Sequence, residues 1–282
     1  MDNILCILAC HTNNNLKFKS TINNIKYLLE LCNKLVIIDS EECKKYDIKN
    51  KIKNNNIEII YIKNNGLLCQ GKWLYYFNNY DYSIYNKFIL TNDSFLITES
   101  LMNFKNLINK NDIELFSYLA SNEIKYHYTD FLRCYNKVGI KILLKYYIKN
   151  KDIVFNYDMI VNIYEINSTY IFKNKKVLFE SINNYYGNIN FDNKYLEDLL
   201  YNNNFNIIKF RYLKDIIINN NFNPLIYNKY KDLQHFNDHE LLIHLETYGF
   251  NENRIFKATD KTKLPDFFEE YFEKFDLFDI ID

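Results

Sequence analysis

The sequence predicts an α/β fold in which helices flank a mainly parallel sheet and a helical appendage follows at the carboxyl end. Apolar runs of strand length alternate with segments of helix length through the first half of the chain. Several of these runs are continuously apolar, as expected for strands covered on both faces. From about residue 204 onward the pattern is mostly helical. We therefore expect one α/β domain over residues 1–203 and a helical module over residues 204–282.

The first half contains five predicted strands: NILCILAC, KLVIIDS, IEIIYIKNNG, NKFILT and IELFSYLA. A helix is predicted after the first, because apolar residues from Phe18 to Cys32 recur at spacings of three and four. Asp39 and Glu42 predict a short helix after the second strand, with a capping box at its start. GKWLYYFNNY and residues 101–107 are the next predicted helices. This alternation requires crossover connections and hence parallel strands.

The second half is less regular. YHYTDFLRCYNKVGIKILLKYYIKN predicts an extended segment followed by a helix, and DIVFNYDMIVNIYEINSTYIFK predicts a further helix and strand. Near the end of the chain a helix is expected to begin at Asn237 and to stop at Gly249, a residue type that commonly ends helices.

Composition limits the class of protein. Of the 282 residues, 48% are hydrophobic and 17% aromatic, which is enough for a large core. Lys plus Arg and Asp plus Glu both number 35, so the zero net charge argues against nucleic acid as a partner. The apolar runs are shorter than the roughly 18 residues that a membrane span needs. The six cysteines lack a CxxC pair, and no signal peptide is evident, so we expect free thiols and a cytoplasmic protein.

Polar residues follow the predicted strands, at the sheet edge where α/β proteins bind ligands. They are His11, Thr12, Asp39, Asn65, Gly66, Asn92, Asp93 and Ser94. A plain turn is the alternative for Asn92 to Ser94, because these side chains hydrogen-bond to their own backbone. Neither the glycine fingerprint of dinucleotide folds nor a P-loop is present, which disfavours nicotinamide and ATP enzymes of those types.

Four segments together resemble the rhamnan-synthesis F-type glycosyltransferases and related enzymes of the GT-A fold: NNGLLCQGKWLYYF, YDYSIYNKFILTNDSFLI, YHYTDFLRCYNK and YEINSTYIF. The matching motifs are Asn65-Gly66, Gly71-Lys72-Trp73, Asn92-Asp93-Ser94 and Tyr164-Glu165. The segment YNKYKDLQHFNDHELLIHLETYGFNENRIF is similar to a short helical module found beside glycosyltransferases. One departure is Thr91, which stands where the family's metal motif has its first carboxylate.

The resemblance implies a transferase that moves a sugar from a nucleotide-diphosphate donor to a glycan or another hydroxyl acceptor, in polysaccharide biosynthesis. Such a reaction releases a diphosphate, whose charge Mn²⁺ or Mg²⁺ can neutralise. Asp93 is the predicted metal ligand. The predicted donor-binding residues are His11, Thr12, Asp39, Asn65, Gly66, Asn92 and Ser94.

An inverting transfer also needs a carboxylate that deprotonates the acceptor hydroxyl. The resemblance favours Glu165, and Asp158 is a rival, while His127 and Asp130 are predicted to contact the acceptor. An alternative interpretation is a non-catalytic GT-A-like protein that binds glycan or acts as a scaffold. The sequence leaves open the donor sugar, the acceptor, the stereochemistry and the oligomeric state.

Overall fold

A computed structural model describes residues 2–64, 66–109, 113–122, 124–153, 156–180, 193–202 and 204–282. Its strands are β1 Ile4–Ala9, β2 Lys34–Ser40, β3 Ile57–Ile62, β4 Lys87–Asn92, β5 Phe95–Ile97, β6 Leu115–Ser121, β7 His127–Tyr128, β8 Leu132–Asn136, β9 Lys175–Phe179 and β10 Ile207–Lys209. The main sheet has the order β3-β2-β1-β4-β8-β6-β7, and β9 also pairs with β6.

The predicted α/β class and mainly parallel sheet are confirmed. Strands β3, β2, β1 and β4 are mutually parallel, and β9 is parallel to β6. Strand β8 lies antiparallel between β4 and β6, and β7 is antiparallel to β6. The carboxyl ends of β1, β2 and β4 therefore meet at one edge of the sheet.

The helices are α1 Asn15–Leu29, α2 Ile48–Lys51, α3 Leu68–Asn79, α4 Met102–Ile108, α5 Lys137–Asn150, α6 Tyr157–Met159, α7 Asn193–Asn202, α8 Phe210–Asn221, α9 Pro224–Tyr227, α10 Asp238–His244, α11 Asp266–Lys274 and α12 Phe278–Ile281. A 3₁₀ turn spans Glu41–Tyr46, and α6 continues as a π-helical turn over Ile160–Ile166. None of the helices in the described ranges is long and apolar enough to cross a membrane.

Alternate residues of β1 point into two separate hydrophobic clusters. Cys6 and Leu8 pack in the cluster that contains α1 and the C-terminal helices, while Leu5 and Ile7 pack in the cluster that contains α3 and α5. Both faces of the strand are thus covered, which explains its continuously apolar sequence. All six cysteines are free thiols, as predicted.

A second, two-stranded sheet was not expected from the sequence. The three-residue strand β10 pairs antiparallel with β5. The predicted division at residue 204 thus falls just before a strand that pairs with the preceding α/β part, and the Tyr271 hydroxyl lies 2.8 Å from Thr98 Oγ1 in the same region. The division into two domains stays a prediction.

The predicted C-terminal helix does begin at Asn237, whose side chain accepts from the backbone N–H of Glu240 while Glu240 caps in return. It continues as a π-helical turn that ends at Gly249. The capping box predicted for Asp39 and Glu42 is wrong. The 3₁₀ turn begins after Ser40 without a side-chain cap, because the Asp39 carboxylate is buried and bonded elsewhere.

Candidate functional site

A cavity of about 560 Å³ opens at the carboxyl ends of β1, β4 and β6, the edge where the sequence predicts ligand binding. Its volume suits a small-molecule ligand. The polar and charged residues that line it are His11, Lys17, Asn64, Gln70, Lys72, Asn92, Asp93, Ser94, Ser121, His127, Thr129, Asp130, Glu165 and Lys209. Residues of helix α3 and of the π-helical turn also line it.

The carboxylate of Asp39 holds the loop after β1 in place through hydrogen bonds. Its Oδ1 accepts from the backbone N–H groups of Thr12 at 3.2 Å and Ser40 at 2.7 Å, and its Oδ2 accepts from the Thr12 hydroxyl at 2.5 Å. Both Thr12 and Asp39 are fully buried. Burial raises the pKa of Asp39, and the hydrogen bonds from Thr12 and Ser40 oppose that rise. Neither residue lines the cavity, so the structure places these two predicted donor-binding residues below it.

Asp93 braces the same loop from the side of β4. Its Oδ2 accepts from the backbone N–H of His11 at 2.7 Å and lies 3.4 Å from the Lys17 Nζ atom. Next to it, Asn92 Oδ1 accepts from the backbone N–H of Ser94 at 3.0 Å and from its hydroxyl at 2.5 Å. The turn interpretation therefore holds for Asn92 and Ser94, although both residues also line the cavity.

The residues around Asp93 do not fit a Mn²⁺ or Mg²⁺ site made by the protein. These cations need several oxygen ligands. Thr91 is buried, and no group of three or more His, Cys, Asp or Glu side chains among the described residues could hold a metal ion. An ammonium group, that of Lys17, stands beside the one available carboxylate. The metal predicted at Asp93 therefore stays a prediction, and the side chains around Asp93 do not support it.

Lys72 is a site residue that the sequence reasoning missed. It lies on α3, is 5% exposed, and donates from Nζ to the Cys10 carbonyl oxygen and, at 2.9 Å, to Ser40 Oγ. His11 Nδ1 lies 3.0 Å from the same Ser40 oxygen. Burial, Lys17 and Lys72 lower the pKa of His11. A charged residue at the start of the otherwise apolar stretch KWLYYF was the available signal. Its neighbour Trp73 is a core residue.

At the other end of the cavity the structure brings together three predicted residues. Glu165, on the π-helical turn, accepts at Oε1 from the backbone N–H of Asp130 at 3.2 Å. The same oxygen lies 3.8 Å from His127 Nε2. The His127 Nδ1 atom lies 2.7 Å from the Lys125 carbonyl oxygen, which accepts when this nitrogen is protonated. Glu165, His127 and Asp130 form what we call the carboxylate end; Lys17 and Lys72 form the lysine end.

Arg133, also missed from the sequence, fixes the carboxylate end. Its guanidinium lies 2.9 Å from Asp130 Oδ1 and donates to the Glu165 carbonyl oxygen at 3.1 Å and to Ser168 Oγ at 2.9 Å. The Gln70 amide donates to the other Asp130 oxygen. Burial raises the pKa of Asp130 to about 7, and the attraction of Arg133 opposes the rise. Asp130 is thus held by its neighbours, while Glu165 is more exposed to the cavity.

Two other predicted residues, Asp158 and Gly66, do not line the cavity. Asp158 is exposed on the first turn of α6. Gly66 has a φ of 78°, and its backbone N–H donates to Asn64 Oδ1. Asn65 lies outside the described residues.

No protein-family model and no curated protein matches this sequence. Among solved structures, a 4-diphosphocytidyl-2C-methyl-D-erythritol synthase from Anaerococcus prevotii has a TM-score of 0.43 at 11% identity, covering 67% of this chain and 91% of that chain. The galactosyltransferase LgtC, in complex with donor and acceptor sugar analogs, has a TM-score of 0.40 at 12% identity, covering 62% and 72%. Rv0371C of Mycobacterium tuberculosis, in complex with manganese, has a TM-score of 0.41 at 4% identity, covering 64% and 90%. At TM-scores below 0.5, these likenesses do not identify the function of this chain.

Proposed function

We propose that this protein is a glycosyltransferase that moves a sugar from a nucleotide-diphosphate donor to a hydroxyl group of a glycan or another acceptor. One observation carries the proposal: a single cavity has ammonium groups at one end and a carboxylate with a nearby histidine at the other. Such a transfer needs both features, because it creates a diphosphate at one point and removes a proton at another.

At the lysine end, Lys17 and Lys72 would face the leaving diphosphate. Fixed positive groups placed where negative charge develops lower the barrier of a transfer reaction. His11, on the loop that Asp39 and Asp93 brace, would contact the donor beside them. The bracing keeps the loop in place before the donor arrives, so that less ordering is needed on binding.

At the carboxylate end, Glu165 would act as the base of an inverting reaction. The acceptor hydroxyl gives its proton to Glu165, its oxygen bonds to the anomeric carbon, and the bond from that carbon to the diphosphate breaks with its electron pair leaving on the diphosphate. The Asp130 N–H and His127 would hold the Glu165 carboxylate in position. Asp130 would have a positioning role, because Arg133 and Gln70 hold its oxygens.

The resemblance adds the setting of this proposal, which is polysaccharide biosynthesis with a glycan acceptor. The predicted dependence on Mn²⁺ or Mg²⁺ is a separate question, since no step above passes through a metal. It is tested by running each measurement with Mn²⁺ and with a chelator.

The test is a panel of UDP-, GDP-, dTDP- and CMP-sugars, with binding followed by calorimetry and transfer by release of the free nucleotide. We expect one of the three diphosphate donors to bind and to be consumed when acceptor sugars are supplied. The CMP-sugars are the matched control, because they carry a single phosphate. Glycan binding without binding of any nucleotide would instead support the scaffold alternative.

A further inference from the structure

We infer that Lys72 and Lys17 form a pyrophosphate-binding site that neutralises the donor diphosphate without a divalent cation. The identity of the bound diphosphate as part of a sugar donor rests on the proposed function. The existence of the anion site does not, because it is argued from the charges and contacts of this chain alone.

Lys72 is a buried cation that forms no ion pair with a carboxylate among the described residues. Its side chain is 5% exposed, and its Nζ atom donates to two neutral groups, the Cys10 carbonyl and the Ser40 hydroxyl. Burying an ammonium outside an ion pair is costly, and an anion entering the cavity that Lys72 lines would lower that cost.

Lys17 lies at the same loop. Its Nζ atom is 3.4 Å from the carbonyl oxygen of His11, and Lys72 contacts the carbonyl oxygen of the preceding residue, Cys10. Two ammonium groups on consecutive carbonyls of one loop, both lining the same cavity, can contact neighbouring phosphate oxygens. A pyrophosphate group offers oxygens on two adjacent phosphorus atoms, one for each ammonium group.

The backbone of this loop does not supply the anion site. The N–H of Cys10 donates to the Ile38 carbonyl, the N–H of His11 to Asp93, and the N–H of Thr12 to Asp39. The loop therefore differs from phosphate-binding loops that present free N–H groups. Positive charge for an anion has to come from side chains, and Lys17 and Lys72 both contact carbonyl oxygens of this loop.

The nearby carboxylates are each held by other groups, and neither forms an ion pair with Lys72. Asp93 pairs with Lys17, and Asp39 is bonded to Thr12 and Ser40 beneath the loop. A divalent cation bound at Asp93 would be repelled by Lys17 at 3.4 Å from the same carboxylate and by Lys72. We therefore infer that the lysine side chains, and not a metal, neutralise the charge of the diphosphate.

The test is calorimetry of inorganic pyrophosphate binding in EDTA, on the full chain and on Lys72→Met, Lys17→Met and Lys34→Met. We expect the wild type to bind, Lys72→Met and Lys17→Met to bind at least tenfold more weakly, and Lys34→Met to match the wild type. Lys34 is the control because it is a partly buried lysine that pairs with Glu58 outside the cavity. Thermal melts identify any variant that fails to fold; if Lys72→Met does not fold, the more accessible Lys17→Met decides.

Three outcomes overturn the inference: no pyrophosphate binding by the wild type in EDTA, wild-type affinity in a folded Lys72→Met, or binding that requires Mn²⁺ and is lost in Asp93→Asn. A failure of the proposed function looks different. In that case pyrophosphate binds through the lysines in EDTA, but no nucleotide sugar is consumed.

Discussion

The Nζ atom of Lys17 lies 3.4 Å from Oδ2 of Asp93, so the carboxylate that the sequence marks as a metal ligand is already paired with a cation. The same oxygen accepts from the His11 backbone N–H at 2.7 Å. Asp93 thus holds the loop after β1 against the end of β4. Two alternatives for this site differ in whether Asp93 also binds a metal or whether the lysines alone bind the anion.

The first prediction concerns Asp93→Asn. The amide oxygen can still accept from the His11 N–H, but the negative charge beside Lys17 is gone. We expect pyrophosphate binding in EDTA to be retained or strengthened, because the anion then meets less repulsion. Calorimetry in EDTA and in Mn²⁺ checks this. A metal-ligand role for Asp93 predicts the opposite, a loss of Mn²⁺-dependent binding.

The second prediction separates the two candidate bases. Glu165→Gln should lower the transfer rate by roughly 10² to 10⁴-fold with little change in donor affinity, because a general base acts on the acceptor proton in the transition state. Asp158→Asn should leave the rate near that of the wild type, since Asp158 is exposed and does not line the cavity. Steady-state kinetics with the active donor measures both. Equal losses in the two variants would contradict the assignment of Glu165.

The third prediction concerns the buried pair of Arg133 and Asp130. Arg133→Met removes the guanidinium 2.9 Å from the Asp130 carboxylate, so at about pH 8 the free energy of unfolding should fall by roughly 3–5 kcal/mol. The double variant Arg133→Met with Asp130→Asn should be less destabilised than Arg133→Met alone, because no charge is then left unpaired. Urea denaturation of the single and double variants measures this coupling. Additive losses would show that the pair does not interact.

The fourth prediction is a pH dependence of stability caused by Asp130. Its pKa in the folded protein is raised to about 7, above that of the unfolded chain, so the folded state holds a proton that the unfolded state releases. This group therefore stabilises the fold at low pH, and its contribution is lost as pH rises toward the folded pKa. Each unit of pKa difference corresponds to about 1.4 kcal/mol.

Asp130→Asn, which mimics the neutral carboxyl group, tests that dependence. The difference in free energy of unfolding, variant minus wild type, should become more positive as the pH is raised from about 4 to about 8. Urea denaturation at several pH values measures the shift. If that difference instead becomes more negative with rising pH, Arg133 lowers the pKa of Asp130.

The fifth prediction uses two glycines. A Cβ atom at Gly139 would lie 2.0 Å from the Glu114 carbonyl oxygen, so Gly139→Ala should cost roughly 1–3 kcal/mol or more as α5 is forced away from that backbone. Gly66→Ala meets no atom within 4 Å and should cost only about 1–2 kcal/mol for its left-handed φ of 78°. Thermal melts compare the two. A Gly139→Ala protein as stable as the wild type would contradict the close approach of α5.

The sheet and its binding edge could be predicted because their signals are local. The apolar run of β1 reflects burial on both faces, and the positions of His11 and Asp93 at the strand ends follow from a parallel sheet. The strand β10 was missed because three residues, Ile207–Lys209, are too few to show a period.

Lys72 and Arg133 were missed for a different reason. A charged residue is buried only when other groups accept its hydrogen bonds, and these groups can be distant in the sequence. Lys72 donates to a carbonyl 62 positions away in the chain. Arg133 likewise reaches Glu165 and Ser168 on another element. It is one of three arginines in a lysine-rich chain, a weak hint that it does something lysine does not. The roles of Asp39 and Asp93 as braces also needed coordinates, because their partners lie on the loop after β1.

Metal-free binding of the diphosphate by the two lysines is tested most directly by a crystal structure of the protein grown in EDTA with the nucleoside diphosphate that binds best in the panel. We expect electron density for the diphosphate in the cavity, within hydrogen-bond distance of the Nζ atoms of Lys17 and Lys72. A diphosphate bound elsewhere, or one that enters the cavity only on a divalent cation held by Asp93, would contradict metal-free binding by the two lysines.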